Sequence, residues 1–116
     1  MLKICAVIRA KQGMSREDFL QYWCGEHPDV VRKLPGVQRY IQNVPVEHQT
    51  TWPFDALAEV YFDSMRDIAA AFSSPEADAM REHEKLFVGD IQWIIAEAHD
   101  VPLRVGGADS AISPAP

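Results

Sequence analysis

Positive charge is scarce in this chain. Lys and Arg number 11 against 17 Asp and Glu in 116 residues, a net charge of −6. Gripping a phosphate backbone needs a basic surface, so no nucleic-acid partner is expected. The same acidity argues against an anionic membrane surface. No apolar run approaches the roughly 18 residues that a membrane-spanning helix needs. Residues 1–9 alternate too strictly, over too short a stretch, for a leader peptide. The expected location is therefore the cytoplasm. Cysteine is nearly absent: Cys5 and Cys24 match no zinc or redox spacing, and reduced thiols are expected. Also missing are a glycine-rich phosphate loop, a Gly-x-Ser-x-Gly elbow and a His-Glu-x-x-His helix. Cys24 and His27 form a Cys-x-x-His pair, but one pair cannot make a four-ligand zinc site. No metal or organic cofactor is expected.

What is present is an ordinary globular balance, 47% hydrophobic and 24% charged. This length buries one sizeable core rather than two. Residues 2–9 read as a strand with Leu2, Ile4, Ala6 and Ile8 on one face. Ser15 offers an N-cap, and the helix after it should run to about residue 34, bending at His27-Pro28. Pro35-Gly36 ends it. A second strand is expected over 37–44, a polar loop over 45–54 and a third strand over 55–62. Asp63-Ser64 caps a helix to about 72, and Ser74-Pro75 starts another that reaches about 86. A fourth strand should span 91–99, and 104–116 reads as a small, polar tail behind a single domain over 1–103.

The order β-α-β-β-α-β is the ferredoxin-like α+β unit, an antiparallel sheet with one face under the helices. The other face is apolar enough to want a partner, and a second copy of the chain would supply one.

Candidate chemistry centres on histidine. His27 follows Phe19 and Trp23 at helical spacing, so an imidazole shares a stripe with two large aromatics. Partial desolvation there suits proton transfer near neutral pH. The plain alternative is a histidine that only caps the bend. His83 lies in the charged run 81–87 and reads either as a solvated position or as the rim of an apolar pocket. Glu59 is an acid within an apolar strand, a general base if it faces inward and a strand-edge charge if it does not. Arg39 and Tyr40 could steady an oxyanion, and Trp23 and Phe87 could wall a pocket.

The ordered set Ser15-Arg16-Glu17-Asp18-Phe19, Tyr22-Trp23, His27, Leu34-Pro35-Gly36 and Arg39-Tyr40 with Asn43 resembles the EthD family. So does the run from Ala58 to Ser64, followed by Ala71-Phe72 and Ser74-Pro75-Glu76. The resemblance implies a dimeric α+β barrel, two ferredoxin-like units with their sheets face to face. It further implies action without metal or organic cofactor on small, oxygenated, often cyclic molecules. Relatives include proteins associated with ether degradation, a methylmuconolactone isomerase and aromatic polyketide cyclases or decarboxylases. The family histidine falls on His27, and the segment around His83 is similar to the isomerase's. One departure matters: that isomerase carries a cysteine in its third strand, where this chain has Val60.

The expectation is thus a homodimeric, cofactor-independent isomerase or lyase that moves a proton beside a carbonyl of a small-molecule substrate. Its catalytic candidates are His27, His83 and Glu59, and its substrate-binding candidates Trp23, Arg39, Tyr40 and Phe87. The alternative is a non-catalytic small-molecule-binding protein, or an accessory to an oxygenase degradation pathway.

Overall fold

The computed structural model describes residues 1–104; the expected tail beyond Arg104 lies outside the described residues. Strand β1 (Leu2–Ala10) runs through the centre of a four-stranded antiparallel sheet. Its neighbours are β3 (Ala56–Phe62) and β4 (Val88–Glu97), and β2 (Arg39–Asn43) lies outside β3, giving the order β2-β3-β1-β4. Period-two alternation does the sorting. Ile4, Ala6 and Ile8 pair with Val60, Ala58 and Ala56 and turn to the helices, and Lys3 and Cys5 pair with Tyr61 and Glu59 on the other face.

The helices start where their caps dictate. The hydroxyls of Ser15, Ser64 and Ser74 accept from the backbone N–H of Asp18, Asp67 and Ala77, opening α1 (Arg16–Leu20), α3 (Met65–Phe72) and α4 (Pro75–Glu84). Pro75 takes the first helical position, where its missing N–H costs nothing. Between α1 and α2 (His27–Val31) the chain does not simply bend. It widens into a π-helical turn over Gln21–Glu26, in which the His27 N–H reaches back five residues to the Tyr22 carbonyl. Pro28 has no N–H for the Cys24 carbonyl, and its ring would crowd that carbonyl in tight α winding. The wider turn relieves both. The helix ends at Val31 rather than 34, in a turn closed by Gly36 at φ 80°, a left-handed conformation that favours glycine.

β2 is shorter than the sequence suggests, and β4 begins and ends earlier. Val88-Gly89-Asp90 has a turn-like composition, yet it pairs with β1 across a bulge at Arg9 and Ala10. Gly89 is needed at that bulge, since a Cβ there would stand 2.6 Å from the Ala10 carbonyl oxygen.

The core forms two clusters on the helix side of the sheet. One gathers Ile4, Val31, Leu34, Val60, Phe62 and Ile68, the other Ala6, Ile8, Phe19, Trp23, Ala58 and Phe87. Between them the helices stand off from the sheet, and β4 lies beyond their cover. Trp93 and Ile91, which face the helix side, stay 60% and 37% exposed. Among the described residues, no helix is long and apolar enough to cross a membrane.

Candidate active site

The gap between the two clusters is a cavity of about 430 Å³. Its floor is the sheet, with Ile4, Ala6, Val60 and Ile95 among the lining, and Ile91 and Trp93 of β4 line it as well. The polar side chains on its wall are few: His27, Tyr40, Arg81 and Glu84. A mostly apolar pocket with a few converging polar groups is the usual form of a small-molecule site.

His27 enters this wall from the end of the π-turn and is 4% exposed. Its plain alternative, a ring satisfied by backbone, is not what the structure has. The Nδ1 atom of His27 lies 2.9 Å from Nδ1 of His83 on α4, and the two rings are within 14° of parallel. The outer nitrogen of each ring faces a carboxylate: His83 Nε2 is 3.1 Å from Glu26, and His27 Nε2 is 3.6 Å from Glu84. Phe87 presents itself edge-on to both imidazoles, with ring centres 5.2 and 5.3 Å away, and Tyr22 stacks on Phe87 from behind. The rings are thereby held in place by packing as well as by hydrogen bonds.

Tyr40 reaches the cavity from β2, where it pairs with Val60 on the inner face. Burial pushes its hydroxyl up to about 12, against a smaller downward pull from the Gln42 amide, which donates to the phenol oxygen at 3.0 Å. Tyr40 therefore stays a neutral phenol, with its O–H available to donate. The same Gln42 amide donates to the Trp23 carbonyl at 2.6 Å, tying β2 to the π-turn. Trp23 is fully buried in the cavity wall, and its indole N–H meets no acceptor at hydrogen-bonding geometry.

Several expected site residues lie elsewhere. Glu59 is on the outer sheet face, away from both histidines. It accepts from Lys3 at 2.8 Å and from Asn43 at 3.0 Å, and these partners hold its carboxyl below the usual range. It therefore cannot serve as a general base in the cavity, because odd-numbered positions of β3 point outward. Arg39 shares that parity and lies over the Tyr61 ring at 5.4 Å on the same outer face, so it cannot steady an oxyanion beside Tyr40. Phe87 backs the imidazoles instead of lining the cavity. Glu26 and Glu84 were not singled out by the sequence. Glu84 sits one residue from His83 in a charged run, and only the four-residue step from Met80 marks its inward face. Cys24 is exposed, and partial burial of its thiol pushes its ionisation up, the wrong direction for a nucleophile. Among the described residues, no group of three or more His, Cys, Asp or Glu is arranged to hold a metal ion.

The EthD domain family matches residues 11–90, most of the chain and all of the helices. The protein belongs to the EthD family. An EthD-family protein from Bacillus halodurans superposes with a TM-score of 0.74 at 22% identity, over 85% of this chain and 99% of that one. A dimeric ferredoxin-like protein of unknown function from Thermobifida fusca gives 0.69 at 11%, over 84% and 90%. A dimeric protein of the same fold description from Bacteroides fragilis gives 0.65 at 11%, over 84% and 95%. At these identities the solved structures share the fold with this EthD protein and nothing finer. No curated protein sequence matches it.

Proposed function

We propose that this EthD-family protein is a homodimeric isomerase or lyase that moves a proton beside a carbonyl of a small, oxygenated, largely apolar substrate, without a cofactor. The observation that carries this reading is the His27–His83 pair: an imidazole on the wall of an apolar cavity, bonded to a second imidazole rather than to backbone. His27 removes a proton from the carbon next to the carbonyl. The electron pair moves onto the carbonyl oxygen, which Tyr40 meets with its O–H. The imidazolium then returns the proton to another carbon, giving the isomer, or to a leaving hydroxyl, giving dehydration. Glu84 lies beside the nitrogen that takes the proton, so a carboxylate faces the charge that forms there.

A binding or accessory role would need a cavity whose histidine is spent on structure. The bond to His83, with Glu84 at the remaining nitrogen, favours the catalytic reading. The experiment is a panel of lactones and phenolic acids incubated with protein in D2O and followed by mass spectrometry. Deuterium incorporation by the wild type and not by His27→Ala supports proton transfer. A compound that binds both proteins equally, with no incorporation, favours the binding role instead.

A further inference from the structure

Neutral imidazole carries one N–H and one bare nitrogen, so a bond between two Nδ1 atoms has a direction. Either His27 donates to His83, which leaves His27 Nε2 bare on the cavity side, or His83 donates to His27, which leaves the bare Nε2 on His83. Only the first arrangement gives the cavity a base. The two carboxylates at the ends of the pair pull in opposite senses, because an ionised carboxylate only accepts. Glu26 demands a proton on His83 Nε2 and so enforces the first arrangement. Glu84 demands one on His27 Nε2 and so favours the second. The distances rank them: Glu26 is 3.1 Å from its nitrogen, within hydrogen-bond range, and Glu84 is 3.6 Å from its own, beyond it.

We infer that Glu26, on the outer surface of the π-turn, is a positioning residue that selects the tautomer of His27 through His83. The inference rests on the catalytic reading for its use, but not for its test. His83 bridges two consecutive residues of the π-turn and α2, Glu26 and His27, one at each ring nitrogen. The Glu26 side chain is 52% exposed, so its replacement removes an acceptor without opening the core. Once His27 takes a substrate proton, Glu84 becomes the useful partner, since its carboxylate, 3.6 Å away, faces the charge that forms on Nε2. The asymmetry of the two distances therefore fits a base that is bare before reaction and stabilised after it.

The test uses ¹⁵N spectra of the imidazoles in the full-length protein at about pH 9, above the ordinary histidine range near 6.5. In the wild type, His27 should carry its proton on Nδ1 and show a bare Nε2. In Glu26→Leu the direction should reverse, with the His27 Nε2 signal moving to the protonated region. In Glu84→Leu it should stay as in the wild type, since the removed group was pulling the other way. A wild-type His27 protonated at Nε2, or a tautomer unmoved by Glu26→Leu in a protein with an unchanged backbone spectrum, overturns the inference. Absence of deuterium incorporation would instead sink the catalytic reading and leave this one standing.

Discussion

His27 and His83, 56 positions apart in sequence, share a 2.9 Å hydrogen bond at the wall of the cavity. Two rings bonded in this way act as a unit, so their losses do not add. His27→Ala should reduce deuterium incorporation or turnover by roughly 10²–10⁴-fold, the usual worth of general acid-base catalysis. His83→Ala should fall in the same direction, and the double variant should be little worse than His27→Ala alone. Fully additive losses would mean that the two rings work independently.

Tyr40 gives a prediction on the alkaline side. Its folded ionisation lies at about 12 against an ordinary 10.0, so between those values the unfolded chain loses a proton that the native state keeps. Stability is therefore unaffected by this group below pH 10 and falls between 10 and 12, by about 1.4 kcal/mol per pH unit at most. Denaturant titrations across that window should show a shallower fall for Tyr40→Phe. An identical slope in the variant would place the alkaline sensitivity elsewhere.

Glu59 gives the opposite sign. Lys3 and Asn43 hold its carboxyl below the ordinary range, so its contribution is present above that range and lost as pH falls through the depressed folded value. Glu59→Gln should flatten the acid limb of stability while leaving deuterium incorporation unchanged. A loss of incorporation comparable to that of His27→Ala would return Glu59 to the catalytic group.

The dimer prediction turns on two neighbouring residues of β4. Ile94 points outward, is 62% exposed and shares a face with Cys5; Ile95 points inward and packs against the first core cluster beside Ile4. Ile94→Asp should give a folded monomer by sedimentation at micromolar concentration, because it charges only the sheet face offered to the second copy. Ile95→Asp should lower the melting temperature sharply by burying an unpaired charge. Wild-type protein that sediments as a monomer would refute the arrangement.

Much of the fold was legible because its signals are local. Alternation fixed β1 and β3, and three serines announced three helix starts, each with a hydroxyl that accepts from the residue three further on. The start of β4 was hidden because Val88-Gly89-Asp90 composes like a turn, and only the approach of Ala10 explains the glycine. In the site, His27 was legible from its stripe and His83 only as a possibility. Their union was not, because pairing across 56 residues is set by how α4 lies on α2. The parity of β3 carries the answer for Glu59. Ala56, Ala58, Val60 and Phe62 are uniformly apolar, whereas Leu57, Glu59 and Tyr61 are not, which already sends Glu59 outward.

The wide turn at Gln21–Glu26 also bears on how this chain tolerates a change in length. A π-turn absorbs one residue more than ordinary winding and lets the flanking helices keep their facing. Gly25 is exposed, with open space around it. Its deletion would let the segment tighten toward α winding, with Phe19 and Val31 still directed at the sheet, while Pro28 would then crowd the Trp23 carbonyl. Trp23 would stand three residues from His27 instead of four. Three steps of tighter winding cover nearly the angle of four wide ones, so the two side chains keep much the same bearing. The architecture would outlast such a deletion, with the strain of the tighter turn concentrated at the proline.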